Sequence, residues 1–163
     1  LIDELLKKWG EQLYYSVFVS PWGEGAILWD EAGVSELLLP GTGFTIPQQM
    51  IKEDIFDAVK QIEYYFDKKL KNFEFPLAIT GTSFQMKVWQ GLRAIPYGET
   101  VSYQELAASI GCPKAARAVG NANHRNPVPI VIPCHRVIKA DGSIGGFGAG
   151  IELKKGLLAL EKE

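Results

Sequence analysis

Cys134 lies in the run Ile132-Pro133-Cys134-His135-Arg136-Val137, with a prolyl bond before the sulfur and an imidazole directly after it. A cysteine attacks as the thiolate, and a nearby histidine, a positive charge and partial exposure all lower its pKa towards neutrality. His135 and Arg136 supply two of those three ingredients. A lone cysteine is often a small buried hydrophobe, so the neighbourhood has to decide between packing and chemistry. In a regular strand adjacent side chains point to opposite faces. Cooperation between Cys134 and His135 therefore requires the chain to turn at the cysteine, or a water to bridge the pair.

The approach to this cysteine is stiff and apolar. In Asn126-Pro127-Val128-Pro129-Ile130-Val131-Ile132 two prolines impose extended or turn geometry on the residues before them and exclude a helix. Downstream, Asp141-Gly142-Ser143-Ile144-Gly145-Gly146-Phe147-Gly148-Ala149-Gly150 is a glycine-rich loop whose backbone N–H groups can come close to a ligand. It lacks the GxGxxG and GxxxxGK[ST] spacings, which argues against a nucleotide-phosphate cradle.

The elements that must position these residues fall into two halves. Leu1 to Leu13 has helical apolar spacing, and Tyr14–Ser20, Gly25–Asp30 and Val34–Leu39 are β-prone runs separated by turn residues, as in a small antiparallel meander. Pro47 to about Leu70 predicts an amphipathic helix, and residues 72–82, with Pro76 and Gly81, predict the connection between domains. Helices are expected over Ser83 to Ile95 and Ser102 to Ile110, the second opened by a Ser102/Glu105 capping box and stopped at Gly111. Pro113 opens another through about Asn123, with Cys112 as its N-cap, and a last helix runs from Ile151 to Glu163. Two short helices around a glycine turn suggest a helix-turn-helix. The second carries Ala115, Ala116, Ala118 and Ala122, which permit close approach to a groove, beside the cations Lys114 and Arg117. The expected class is α+β: a small N-terminal antiparallel sheet with helices (1–80, a scaffold domain), then a mainly helical C-terminal domain (81–163) that contains the helix-turn-helix and the active site.

Charge follows the same division. Of 163 residues with a net charge of -2, residues 1–81 hold 7 lysines, no arginine and 13 acids, a balance of -6. Residues 82–163 hold 6 lysines, 4 arginines and 6 acids, a balance of +4, together with both histidines. No acidic residue occurs from Leu106 to Ala140, where Lys114, Arg117, Arg125, Arg136 and Lys139 all fall. This asymmetry points to a phosphate-facing half around the cysteine. No apolar run reaches the ~20 residues of a membrane helix. Two cysteines, Cys112 and Cys134, make a disulfide framework improbable and suit a reduced compartment.

The run from Asn126 to Val137 resembles the active-site signature of the O6-alkylguanine-DNA alkyltransferases, also called methylated-DNA–protein-cysteine methyltransferases. The resemblance extends from about Thr82 to Glu161 through Phe84-Gln85, Val88-Trp89, Ile95-Pro96-Tyr97-Gly98, Val101-Ser102-Tyr103 and Ala115-Ala116-Arg117-Ala118-Val119-Gly120. It implies a DNA-repair protein that moves the alkyl group of O6-alkylguanine in duplex DNA irreversibly onto Cys134, once per chain, with O4-alkylthymine as an open second substrate. It implies His135 as base through water, Glu161 holding the imidazole, Asn126 bridging the turn of the cysteine segment, and Tyr103 assisting the departing base. DNA contacts would come from Arg117, as a finger filling the space of the flipped nucleotide, with Tyr103, Gln104, Lys114, Ala115 and Arg125. Pro129, Val137, Phe147 and Gly148 would wall the substrate pocket. Many members have Tyr-Ser where this chain has Phe147-Gly148, so a hydroxyl contact to the base is absent and O6 would rely on the Gly148 amide. Neither cofactor nor metal is expected, since residues 1–81 contain no cysteine or histidine for the zinc that some members bind. The implied partner is duplex DNA, held through the minor groove without strong sequence preference; the expected state is a monomer, off the membrane, in the cytoplasm, or the nucleus of a eukaryote. The alternatives are a non-reactive lesion-recognition module, which Cys134 argues against, and a cysteine hydrolase using Cys134, His135 and Glu161, which the adjacency of Cys and His argues against.

Overall fold

The computed structural model describes residues 13–46 and 48–162, and these fall into two compact units divided between Ile79 and Thr80. The helix expected over Leu1 to Leu13 lies outside the described residues, apart from Leu13 itself. In the first unit β1 (Tyr14–Ser20), β2 (Gly23–Asp30) and β3 (Gly33–Leu38) form an antiparallel meander in the order β1-β2-β3. Its buried residues include Tyr15, Phe18, Ile27, Leu28 and Val34, and α1 (Ala58–Phe66) adds Ile62, Tyr65 and Phe66.

The helix expected from Pro47 to Leu70 is much shorter, and the reason is local. Gln48–Met50 is a single 3-10 turn, after which Lys52 N donates to Tyr15 O (2.8 Å) and Ser16 Oγ donates to Lys52 O, so the segment runs beside β1. Asp54 then gathers the N–H groups of Phe56 (2.8 Å), Ala58 (3.0 Å) and Val59 (3.0 Å) on its carboxylate, and Asp57 takes a left-handed φ of 55°. An Asx cap of this kind fixes where the helix begins.

The second unit contains α2 (Ser83–Arg93), β4 (Val101–Ser102), α3 (Tyr103–Ser109), α4 (Ala116–His124), a 3-10 turn at Cys134–Arg136, β5 (Val137–Ile138) and α5 (Ile151–Lys162). Two reciprocal capping boxes start α2 and α3: Thr82 with Gln85, and Ser102 with Glu105. Each satisfies two N–H groups that a helix start leaves open. Gly91 lets α2 and α3 approach, since a β-carbon there would meet Ile110 Cγ2 at 2.6 Å and Leu106 Cδ1 at 3.1 Å. Trp89 Nε1 donates to Ala122 O (2.9 Å) and ties α2 to α4.

Cys112 is not the N-cap of α4. Cys112 to Ala115 forms a separate turn, closed by Ala115 N donating to Cys112 O (2.9 Å), and the helix starts at Ala116 with no side-chain cap. Pro113 thus sits inside a turn, where its fixed φ is equally at home. The parallel pairing of Val101 with Val137 and Ser102 with Ile138 was not anticipated, because two-residue strands carry no periodicity.

Candidate active site

The cysteine segment is bent twice before it reaches the sulfur. At the Pro129–Ile132 turn, Ile132 N donates to Val128 O (2.9 Å) and Ile130 is held at φ 74°, although it is β-branched and buried. A left-handed isoleucine costs about 1–3 kcal/mol and persists only when its surroundings impose it. Asn126 supplies part of that imposition: its Nδ2 donates to Ile132 O (2.7 Å) and its Oδ1 accepts from Val128 N (3.0 Å), spanning the turn with one side chain. The chain then turns at Cys134–Arg136, with Cys134 N donating to Ile132 O (2.8 Å) and Arg136 N to Pro133 O (3.0 Å).

His135, Arg136 and Glu161 meet in one buried cluster. His135 Nε2 lies 2.7 Å from Glu161 Oε1, and the imidazole is wholly buried. Arg136 donates from Nε to Glu161 Oε2 (2.9 Å), from Nη2 to Oε1 (2.9 Å) and from Nη1 to Ile95 O (2.7 Å). Gly98 N donates to Glu161 Oε2 (3.2 Å), and its φ of +80° with a β-carbon position 2.9 Å from Glu161 O leaves no room for a side chain there. A carboxylate with these donors keeps its charge, and an ionised carboxylate accepts from Nε2–H. That fixes the proton on Nε2 and leaves the lone pair on Nδ1. Nδ1 is buried and has no hydrogen-bond partner among the described residues. Burial holds His135 below the ordinary imidazole pKa, against the opposing pull of Glu161.

Cys134 is 5% exposed. Burial pushes its thiol up to about 11, while the Asn126 side chain, the Lys154 ammonium and the backbone N–H groups of Cys134 and His135 pull the other way. This corrects the expectation of a thiol activated at rest by exposure and flanking charge. The sulfur is buried, and Arg136 points its guanidinium at Glu161. The cation that does act on the sulfur is Lys154, on α5, which donates to Val137 O (2.7 Å) and Gly146 O (3.4 Å) from a fully buried position. Arg136 is likewise buried and is no part of a phosphate-facing surface.

Tyr103, at the start of α3, is half-buried; burial raises its pKa, as a Cys134 thiolate would, while a hydrogen bond from Asn123 lowers it. Asn123 Nδ2 also reaches Cys134 O (3.5 Å). The structure therefore brings Cys134, His135, Glu161, Asn126 and Tyr103 to one place. Gln104, Lys114, Arg117 and Arg125 are exposed on or beside α3 and α4, with Ala115 half-buried in the turn between them. Pro129 and Phe147 are half-buried, Gly148 is exposed and Val137 is buried completely. Sequence reasoning missed Lys154 and Asn123 as neighbours of the sulfur. The spacing 154, 157, 161 does put Lys154 on the same helical face as Leu157 and Glu161, all buried.

A buried thiol beside a histidine whose tautomer is set by a carboxylate, on a helical unit with exposed cations, defines a cysteine-nucleophile protein with an internal base. Residues 83–163 match the family model "6-O-methylguanine DNA methyltransferase, DNA binding domain". A methylated-DNA–protein-cysteine methyltransferase of Methanosarcina acetivorans is 44% identical over 153 residues, covering 91% of this chain and 98% of that protein. Among solved structures, the O6-methylguanine methyltransferase of Mycobacterium tuberculosis superposes with a TM-score of 0.82 at 41% identity, covering 92% of this chain and 93% of the other. The M. tuberculosis OGT in complex with DNA gives 0.81 at 42% identity, covering 91% and 92%. The chain belongs to the methylated-DNA–protein-cysteine methyltransferase family.

Proposed function

We infer that this protein repairs alkylated DNA by taking the alkyl group of O6-alkylguanine onto Cys134 in a single turnover. The observation that carries this reading is the Cys134 site itself: a thiol with a Lys154 cation beside it and a His135 base whose acceptor nitrogen is left open by Glu161. A carbon–sulfur bond forms as the O6–carbon bond breaks, and the electron pair of that bond stays with guanine. The thiol proton passes to His135 Nδ1, directly or through water, and guanine takes up one proton, so that sulfur to guanine is the net transfer. Tyr103 would donate a hydrogen bond as negative charge develops on the departing base. The thioether has no route back to thiol, which makes the reaction stoichiometric.

The base must leave the duplex to reach a buried sulfur, at a cost of a few kcal/mol in stacking and pairing. Arg117, exposed on α4, is suited to fill the gap, and α3, the turn at Gly111 and α4 serve as a helix-turn-helix on the minor groove, where little sequence is read. Two free thiols suit a reducing compartment such as the cytoplasm.

Intact-mass measurement with peptide mapping tests the reaction after equimolar mixing with duplex carrying one O6-methylguanine. One added methyl group on the Cys134 peptide and equal loss of lesion are expected. Binding without an adduct would instead mark a recognition protein, and multiple product equivalents a hydrolase.

A further inference from the structure

The buried face of α4 consists of Val119, Ala122 and Asn123, and the amide of Asn123 is only 8% exposed. A buried amide that leaves a group unpaired costs stability, so its presence asks for a reason. Nδ2 donates to Cys134 O (3.5 Å), and Oδ1 has no hydrogen-bond partner among the described residues. A backbone carbonyl only accepts, so the amide atom that faces Cys134 O is the nitrogen, and the orientation of the group is fixed.

That nitrogen has a second hydrogen to give. The ring of Tyr103 lies against α4 one turn before Asn123: a β-carbon on Gly120 would be 3.7 Å from Tyr103 Cε1 and 3.8 Å from Cδ1. Gly120 and Asn123, three residues apart, share a helical face, and from that face Asn123 hydrogen-bonds the phenol. With the amide turned the other way, Oδ1 would take the phenol proton; Oδ1 is unpartnered, and the phenol oxygen accepts. A phenol has one proton to donate. Accepting from Asn123 leaves that proton for the substrate and, by polarising the O–H, makes it a stronger donor.

We propose that Asn123 is a positioning residue for alkyl transfer: its one amide nitrogen bridges Cys134 O and Tyr103 Oη, which aims the phenol proton at the departing base and holds Tyr103 in place relative to the nucleophile. The inference rests on the alkyl-transfer reading above, in which Tyr103 assists the leaving group. No proton passes through Asn123; it acts by the direction it imposes on its neighbour.

The test is a double-variant cycle on the rate of transfer to Cys134 at saturating substrate, with O6-methylguanine in duplex and with free O6-benzylguanine. Asn123→Ala should lower the rate about tenfold on both, the worth of one well-aligned hydrogen bond, with little change in the half-saturating concentration. Asn123→Asp keeps the shape but, ionised, presents only acceptors; it draws the phenol proton inward and should cost about 10²-fold, the lower end for loss of a general acid. In a Tyr103→Phe background neither change should cost more than about twofold, because Asn123 acts through the phenol. Melting temperatures check that each variant is folded. One further measurement needs no change at Asn123: in the NMR spectrum, Tyr103→Phe should move one of the two Asn123 side-chain amide protons and leave the other, on Cys134 O, in place. Losses of equal size with and without the Tyr103 phenol, or amide protons that ignore Tyr103→Phe, overturn the proposal and leave Asn123 as a support of the Cys134 carbonyl. So does a loss confined to duplex substrate, which would make Asn123 part of DNA binding. A wild type that transfers neither group overturns the transfer reading itself, whereas an active wild type without the coupling overturns only the role of Asn123.

Discussion

The Cys134 thiol, pushed up to about 11 by burial, is almost entirely protonated at neutral pH. On the reading proposed above, reactivity is withheld until a substrate places an electrophilic carbon against the sulfur and His135 takes its proton. Iodoacetamide should alkylate Cys134 of the folded protein very slowly at pH 7.5, with a rate rising about tenfold per pH unit towards 11 and a large acceleration on denaturation. Peptide mapping separates this from Cys112, which is half-exposed; fast labelling of Cys134 at neutral pH would contradict a thiol that is inert at rest. His135 makes a second prediction, with the opposite sign in pH. Its folded pKa lies below the unfolded value of about 6.5, so on acidification the unfolded chain takes up a proton that the buried imidazole resists. Stability is therefore present above about 6.5 and falls as the pH drops below it. Urea melts between pH 5.5 and 7.5 should show that loss, and a flat profile would mean His135 protonates in place. At this scale the sequence made Cys134, His135 and Glu161 legible through one contiguous motif and a recognisable spacing. It misled on Arg136, whose charge reads as basic surface and whose position is buried against Glu161. Lys154 was hidden because a lysine in an amphipathic helix ordinarily faces water, and only its stripe with Leu157 and Glu161 says otherwise.

The helices show what local chemistry can and cannot announce. The Ser102/Glu105 box was readable because both halves of a reciprocal cap lie within four residues. The start of α1 was not, because apolar spacing from residue 51 onward continues the helical pattern through a segment that hydrogen-bonds β1 instead. Tertiary pairing overrode periodicity there. For α4 the consequence is functional. Arg117 is exposed one residue into the helix and makes no part of the buried cluster, so replacing it should leave the chemistry intact while removing the group proposed to hold the duplex open. Arg117→Ala should slow transfer from O6-methylguanine in duplex by about 10²-fold or more, since misplacement of a substrate by an ångström has that effect. The same variant should react with free O6-benzylguanine within about twofold of wild type, because no base has to be extruded. Equal losses on both substrates, measured by label transfer to the protein, would assign Arg117 to the pocket and not to the duplex.

Across the whole chain, the -6 balance of residues 1–81 and the +4 of residues 82–163 are opposite in sign, and only the second can draw phosphate. The folded structure trims that second number in a way the composition could not. Arg136, Lys154 and Glu161 are buried and contribute nothing to a phosphate-facing surface, which leaves Lys114, Arg117, Arg125 and Lys139 as the exposed cations of the acid-free stretch. Each phosphate neutralised on a duplex releases counterions and adds about 0.9 to the slope of log affinity against log salt concentration. With four candidates the slope for undamaged duplex should be no steeper than about -3.6, where counting Arg136 as well would give about -4.5. Lys114→Ala and Arg125→Ala should each make it shallower by about 0.9 and weaken binding to all sequences alike. Fluorescence anisotropy over a salt series measures both quantities. A slope near zero would remove phosphate attraction as the means by which this protein surveys DNA, and a slope steeper than about -4 would require phosphate contacts beyond these four residues.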